Sequence, residues 1–260
     1  MTDYLLQGDD EGRRLMRQAA YLAPQTERAL RAAGIGPGSR VLDLGCGMGD
    51  VALISAELGA EVVSVERDPN VASAARERLG TRVEVVVGDI TDAKVDGTFD
   101  AITGRLILMY VRDPAAVLRD LVTRVLRPGG AVAMVEYDFR STLMLPGPAM
   151  LRDAIATVCR IIEAAGFHGD LGLRLPEVFA AAGLAVPQLD AQLWTSVAGD
   201  PLAPEMATAV LRNTLPLGEK LGIVKASDFD LATLPARMRA DIGAGTGIGP
   251  LVVSAVARAA

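Results

Sequence analysis

Between residues 40 and 139, short apolar runs alternate with segments of helical character. The runs are rich in β-branched residues and almost continuously hydrophobic, as expected of strands that are covered on both faces. Five such runs occur, at 40–45, 61–66, 82–89, 99–105 and 131–139. Helices are predicted between them at 48–58, 69–79 and 113–126. This alternation predicts right-handed βαβ units and therefore an α/β fold with a doubly wound parallel sheet.

The flanking segments predict further elements. Residues 9–33 form an amphipathic stretch, which Pro24 is expected to divide into two helices. After residue 140, helices are predicted at 147–165, 173–183, 201–221 and 228–241, and strands at 187–197 and 249–259. No repeat or low-complexity tract interrupts the chain. We therefore expect one domain over residues 1–260.

Composition narrows the function classes. A formal net charge of -6 argues against a nucleic-acid partner, which would require a concentrated basic surface. The two cysteines, Cys46 and Cys159, lack the spacing of metal ligands and fit a reducing compartment. The N-terminal residues lack the apolar core of a signal peptide, and no run of 18 apolar residues occurs. We expect a cytoplasmic protein without a membrane partner.

The first predicted strand runs into a glycine turn, VLDLGCGMGD, over residues 41–50. In open parallel sheets, ligands bind at the carboxyl ends of the strands. Gly45, Gly47 and Gly49 would allow a tight turn and a close approach of a ligand to the backbone. Their GxGxG spacing differs from the GxGxxG of the dinucleotide fingerprint. The turn therefore predicts a ligand site of another kind.

Acidic side chains surround this turn. Asp43 and Asp50 flank it, an arrangement that suits an ammonium or sulfonium group better than a pyrophosphate. Glu66 ends the second predicted strand and can accept hydrogen bonds from both hydroxyls of a ribose.

Asp89 ends the third predicted strand and can accept a hydrogen bond from an adenine amino group. Ile90 and Leu106 offer apolar walls for the base. Sites for an amino acid's charged ends, a ribose and an adenine together predict S-adenosylmethionine as the cofactor.

The motifs VLDLGCGMGD, VERDP, VVGDI and VLRPGG together resemble the class I S-adenosylmethionine-dependent methyltransferases, in particular the small-molecule group of bacterial secondary metabolism. The resemblance implies a Rossmann-like, seven-stranded sheet, mostly parallel with an antiparallel last strand. It also implies cofactor contacts at Asp43, Gly45, Gly47, Glu66, Arg67, Asp89 and Ile90. Arg105 corresponds to a position that commonly lines the cofactor or substrate side.

The same resemblance divides the predicted domain into three parts. N-terminal helices over 1–38 would form a lid, with Tyr4 over the cofactor. Residues 39–139 would form the cofactor-binding core. Residues 140–260 would supply a helical insertion, the substrate pocket and the C-terminal strands. The implied activity is in-line transfer of a methyl group to an O, N or C atom of a small, fairly apolar metabolite.

Catalytic candidates are few. A phenol or alcohol acceptor would need a general base, and His168 is the only histidine, in a loop. Tyr137 and Asp138 lie at the end of the fifth predicted strand, and Asp138 is equally suited to capping the next turn. No metal is proposed, because Asp138 lacks further carboxylate ligands.

The segment 141–167 carries apolar residues that could line a substrate pocket or simply cover the sheet: Leu143, Met144, Leu145, Met150 and Phe167. Trp194 is interpreted as a core residue or part of a homodimer surface.

Three alternatives stay open. The cofactor could be structural while the pocket catalyses a reaction other than methyl transfer. An NAD(P)-dependent oxidoreductase is disfavoured by the glycine spacing. An RNA or protein methyltransferase is disfavoured by the acidic charge and by the absence of an NPPY-type loop after the fourth strand.

Overall fold

The computed structural model describes residues 9–92 and 94–259, with side chains from Arg17 onward; the predicted lid residue Tyr4 lies outside them. The helices of this part are α1 (Asp9–Ala32), α2 (Asp50–Glu57), α3 (Pro69–Leu79), α4 (Pro114–Val125), α5 (Phe139–Leu143), α6 (Ala149–Ala164), α7 (Leu171–Ala181), α8 (Leu202–Lys220) and α9 (Leu234–Ile242). The strands are β1 (Arg40–Leu44), β2 (Glu61–Glu66), β3 (Val83–Val87), β4 (Phe99–Arg105), β5 (Leu126–Asp138), β6 (Gln188–Val197) and β7 (Thr246–Arg258).

The seven strands form one sheet in the order β3-β2-β1-β4-β5-β7-β6. The pairs β1–β2, β1–β4, β2–β3 and β4–β5 are parallel, and the last strands are antiparallel. The register places Asp43 of β1 between Ser64 of β2 and Thr103 of β4. The predicted α/β fold is therefore confirmed, including its mostly parallel sheet of seven strands.

The chain forms two compact units, each built from separate segments. Unit 1 comprises Met1–Gln18, Tyr137–Leu171 and Ala191–Val252, within the described residues. Unit 2 comprises Ala19–Glu136, Gly172–Asp190 and Val253–Ala260, likewise. Strands β5, β6 and β7 contain residues of both units. One boundary falls at Glu136–Tyr137, close to the predicted change after residue 139, and the single-domain organisation stays a prediction.

Two helix starts follow the predicted capping pattern. Asp68 precedes Pro69, and its Oδ1 accepts a hydrogen bond from the backbone N–H of Asn70 at 2.8 Å. Asp113 precedes Pro114, and its Oδ1 accepts from the N–H of Ala116 at 2.9 Å. Each carboxylate satisfies a backbone donor that has no partner within the helix, and each proline has the φ angle that a first helical turn requires.

The predicted break at Pro24 is wrong, because α1 continues through it. A proline inside a helix destabilises it by about 3 kcal/mol, since one hydrogen bond is lost and the ring crowds the preceding turn. On either side, Leu22 and Leu30 are fully buried. Burying each leucine contributes about 1.5–3 kcal/mol, enough together to offset the proline.

The predicted helix at 228–241 starts later, at Leu234, after a short 3₁₀ turn at Ala226–Asp228. Asp230 accepts hydrogen bonds from Thr233, including one of 2.6 Å from its hydroxyl, which favours a turn before the helix.

None of the helices in the described part of the chain has the length and apolar character needed to cross a membrane.

Candidate active site

The glycine turn after β1 lies in unit 2 and has left-handed backbone geometry. Gly45, Gly47 and Gly49 have φ angles of 63°, 52° and 83°. A Cβ at Gly45 would lie 2.5 Å from the Ile107 side chain, so only glycine fits there. A Cβ at Gly47 would meet nothing within 4 Å. The backbone at Gly47 therefore borders open space, as a ligand-binding turn requires.

Glu66, the last residue of β2, holds this turn in place. Its carboxylate is buried, with Oε2 accepting a hydrogen bond from the N–H of Gly47 and Oε1 accepting from the N–H of Asp68, both at 3.0 Å. A carboxylate oxygen has two acceptor positions. Glu66 can therefore support the turn and also accept two hydroxyl groups, as a ribose diol would need.

Asp43 places a second buried carboxylate beside the turn. Its Oδ2 accepts from the Ser64 hydroxyl at 3.1 Å, whereas Oδ1 has no hydrogen-bond partner among the described residues. Burial raises the pKa of Asp43 to about 7, against the opposing effects of the Ser64 hydrogen bond and the Arg105 charge. A cationic group bound nearby would favour the ionised form of this carboxyl.

Arg105, at the end of β4, balances part of this negative charge. Its guanidinium donates to the Thr26 hydroxyl at 3.2 Å, and its Nη2 lies 3.8 Å from Oδ2 of Asp50. Asp50 begins α2 and also pairs with Arg78, at 2.7 Å. The Arg105 side chain is largely buried, and its contact with the cofactor or substrate stays a prediction.

The remaining cofactor candidates lie at the ends of β2, β3 and β4. Asp89 is half-buried, and its Oδ1 accepts two hydrogen bonds from Thr91, at 3.0 and 2.9 Å. Ile90 is buried and Arg67 is exposed. Leu106 has a φ angle of 55°, unusual for a residue with a side chain. Asp89 thus uses one oxygen to shape its own turn, and contact of these residues with a ligand stays a prediction.

The catalytic candidates lie in unit 1. Tyr137 is buried, and its hydroxyl accepts a hydrogen bond from Nε2 of Gln18 at 2.8 Å. Asp138 is buried and caps α5, with Oδ1 accepting from the N–H of Ser141 at 2.8 Å. His168 lies half-buried in the loop between α6 and α7. Asp138 thus has the capping contact that the sequence allowed, and the catalytic role of all three residues stays a prediction.

Glu136, which the sequence interpretation missed, is a third buried carboxyl, in unit 2. Its Oε1 accepts from the N–H of Leu108 at 2.8 Å and of Ile107 at 3.1 Å, while Oε2 has no partner among the described residues. Burial raises the pKa of Glu136 to about 8, although the backbone hydrogen bonds act in the opposite direction. The signal was a single acid inside the apolar run AVAMVEY. Glu136 fixes the loop that follows Arg105 and Leu106.

Unit 1 encloses an apolar cavity with an empty volume of about 490 Å³, including its opening to solvent. Its lining residues share an uncharged character and come from the β5–α5 connection, α6, β6, α8 and β7: Tyr137, Phe139, Leu151, Ala154, Ile155, Val158, Trp194, Ala203, Met206, Ala207, Val210, Gly249 and Pro250.

The apolar residues that the sequence analysis named in 141–167 are not those that line this cavity, and the substrate pocket stays a prediction. None of the five residues named from 141–167 lines this cavity, and Met144 is 85% exposed. Within this segment the lining residues lie on the buried face of α6, which an apolar composition alone does not identify: Leu151, Ala154, Ile155 and Val158. Trp194 is buried and lines the cavity.

Among the described side chains, no group of three or more His, Cys, Asp or Glu could hold a metal ion.

Comparison with known proteins assigns this arrangement to a class. The family described as methyltransferase domain matches residues 35–183, more than half of the 260-residue chain. The chain therefore belongs to the methyltransferase domain family, which confirms the family predicted from its motifs.

Two curated relatives and one solved structure show the range of this similarity. The chain is 31% identical over 160 residues to a ubiquinone biosynthesis O-methyltransferase of Xanthomonas axonopodis pv. citri. The aligned region covers 54% of this chain and 65% of the relative. The chain is 34% identical over 139 residues to the cypemycin N-terminal methyltransferase of a Streptomyces species, covering 50% and 57%. The chain thus spans roughly half to two thirds of the length of these relatives.

The solved structure is geranyl diphosphate C-methyltransferase from Streptomyces coelicolor A3(2), in complex with Mg²⁺, geranyl-S-thiolodiphosphate and S-adenosyl-L-homocysteine. It matches 92% of this chain and 76% of its own with a TM-score of 0.55 and 17% identity. This likeness supports the shared Rossmann-like fold.

Proposed function

We propose that this chain is an S-adenosylmethionine-dependent methyltransferase that acts on a small, fairly apolar acceptor. Membership of the methyltransferase domain family supports the reaction class. The observation that carries the proposal is the glycine turn held by Glu66, with open space at Gly47 and the unpartnered Oδ1 of Asp43 beside it. Each of these features matches one part of the cofactor.

Three groups of unit 2 would hold S-adenosylmethionine. Glu66 would accept hydrogen bonds from the ribose hydroxyls, and the open backbone at Gly47 would let the ligand approach closely. Asp43 would stabilise the positive charge of the amino-acid end. Asp89 would accept from the adenine amino group, with Ile90 against the base.

The cofactor supplies a methyl group that is already activated on a sulfonium. The protein's main contribution would then be alignment of the acceptor with the S–CH₃ bond, an effect that can supply about 7–11 kcal/mol. If the acceptor is a hydroxyl, a base must also take its proton. Tyr137, Asp138 and His168 are the candidates, and the α5-capping contact of Asp138 favours a positioning role for that residue.

Binding of S-adenosylhomocysteine, measured by calorimetry, tests the cofactor site. We expect Glu66→Ala to weaken binding about 10- to 150-fold, because charge-assisted hydrogen bonds of about 1.5–3 kcal/mol are lost. Glu66→Gln should show a smaller loss, since one acceptor oxygen remains. The matched control is Glu61→Ala, at the exposed start of the same strand. Equal affinity in wild type and Glu66→Ala would remove Glu66 from the site.

The alternatives separate in two further measurements. Stabilisation by S-adenosylhomocysteine but not by NAD or NADP would exclude an oxidoreductase. Formation of S-adenosylhomocysteine from S-adenosylmethionine with a panel of acceptors would separate methyl transfer from another reaction in the same fold. One relative is named an O-methyltransferase, another an N-terminal methyltransferase, and the solved structure a C-methyltransferase. The panel should therefore include O, N and C acceptor atoms.

The proposal also covers the cellular compartment, the metabolic role and the partners of the enzyme. We place the enzyme in the cytoplasm and in secondary metabolism, with a small molecule as its partner. The net charge of -6 supports the exclusion of nucleic acid. A homodimer stays a prediction, which sedimentation velocity would test.

A further inference from the structure

The cavity of unit 1 is open to solvent, and its empty volume of about 490 Å³ includes that opening. Protein interiors otherwise pack closely, with few voids larger than a water molecule. An unfilled apolar space therefore needs residues that keep it open.

Small side chains on two helices provide that space. Ala154 of α6 and Ala203 and Ala207 of α8 all line the cavity, at positions where a leucine would fill part of it. Gly249 of β7 allows Trp194 to pack closely, because a Cβ there would lie 3.1 Å from the tryptophan side chain. The lining thus combines a large aromatic side chain with small residues.

The chemistry of the lining restricts the ligand to uncharged molecules. No Asp, Glu, Lys or Arg occurs among the thirteen lining residues. A charged ligand would lose its hydration without gaining a partner in the lining, which is strongly unfavourable. An apolar ligand instead gains by leaving water for a preformed apolar site.

Aromatic side chains indicate the shape of that ligand. Tyr137, Phe139 and Trp194 line the cavity, although the whole chain has only ten Phe, Tyr and Trp residues. The rings of Tyr137 and Phe139 lie 5.4 Å apart between centroids, in a tilted arrangement. Aromatic walls of this kind favour flat, unsaturated ligands through stacked and edge-to-face contacts.

Tyr137 lines the cavity, and its hydroxyl accepts a hydrogen bond from Gln18 Nε2 at 2.8 Å, with both residues buried. This hydrogen bond fixes the Tyr137 ring as one wall of the cavity.

From these features we infer that the unit 1 cavity binds an uncharged, hydrocarbon-rich aromatic or conjugated molecule. This binding chemistry rests only on the cavity and goes beyond the proposed function.

The chain contains its own reporter for a test, because Trp194 is its only tryptophan and lines the cavity. The probe is N-phenyl-1-naphthylamine, an uncharged aromatic that accepts energy from tryptophan. We expect saturable quenching of Trp194 emission together with sensitised probe emission. The matched anionic probe, 8-anilino-1-naphthalenesulfonate, has the same skeleton plus a sulfonate and should bind at least tenfold more weakly.

Variants of α8 locate the probe. Ala207→Leu fills part of the cavity and should weaken binding of the uncharged probe at least tenfold. Ala209→Leu makes the same change on the same helix outside the lining and should leave affinity within about twofold. Circular dichroism would show whether Ala207→Leu folds. If it does not, Ala207→Val, which adds less volume, replaces it in the comparison with Ala209→Leu.

Three results would overturn the inference: no saturable response of Trp194, equal affinity for the anionic and uncharged probes, or the same affinity in the Ala207 and Ala209 variants. Failure of the proposed function has a separate signature, since S-adenosylhomocysteine would then give no binding heat with wild type while the probe titration stayed unchanged.

Discussion

Replacing Glu136 by glutamine tests the energetic role of its buried carboxyl. Glutamine keeps the Oε1 oxygen that accepts from the N–H groups of Ile107 and Leu108, and its amide occupies the position of Oε2. The variant therefore removes the ability to ionise while it preserves the contacts that hold the loop after β4. Any pH-dependent difference in the free energy of unfolding between the variant and wild type then reports the protonation of Glu136.

The magnitude follows from the two protonation equilibria. Burial raises the pKa of Glu136 from 4.5 to about 8, so between these values the folded protein binds a proton that the unfolded chain releases. The stability that this proton contributes is fully present below pH 4.5 and is lost as the pH rises through about 8. At about 1.4 kcal/mol per pH unit, the loss is on the order of 5 kcal/mol at most.

Urea unfolding at pH 5, 6, 7, 8 and 9, followed by circular dichroism, measures this difference. We expect Glu136→Gln to be no more stable than wild type at pH 5 and to gain several kcal/mol relative to it by pH 9. The raised pKa of Asp43 contributes to both proteins and cancels in the comparison. Glu84→Gln, on the exposed face of β3, is the matched control and should follow wild type. Parallel profiles for wild type and Glu136→Gln would refute the reasoning.

Two further predictions concern binding and turnover. If a cofactor cation lies beside Asp43, whose pKa is raised to about 7, affinity for S-adenosylhomocysteine should increase by up to about tenfold per pH unit as the pH rises toward 7. The Asp43→Asn variant should bind S-adenosylhomocysteine weakly and without this pH dependence. A pH-dependent affinity in Asp43→Asn would contradict the prediction. His168→Ala should leave turnover within a few-fold of wild type, measured as S-adenosylhomocysteine formation, whereas a loss of about 100-fold would identify His168 as the base.

Local sequence signals predicted the strand β1, the glycine turn after it and two of the helix starts. Strand β1 and the glycine turn are adjacent in sequence, so the φ angles that Gly45 and Gly47 require could be anticipated. Asp68 and Asp113 cap helices through residues two or three positions away, which also makes them visible in sequence. These features depend on short-range geometry, and the family assignment rests on the same motifs.

Features that depend on distant partners could not be predicted in the same way. Glu136 bonds a backbone N–H 28 residues earlier in the chain, and nothing near it in sequence indicates that contact. Pro24 does not end α1, because the burial of Leu22 and Leu30 depends on the tertiary fold. The cavity lining on α6 depends on which helix face is buried, so the apolar residues named in 141–167 are not the ones that line the cavity.

The order of strands in the sheet has a consequence for biosynthesis. β7 is the last strand along the sequence, yet it lies between β5 and β6. A nascent chain emerging from the ribosome thus exposes β5 and β6 without their shared neighbour until residues beyond 246 have been translated. During that interval these unpaired strand edges could recruit other polypeptides, so chaperone capture should be greatest just before the final strand leaves the exit tunnel.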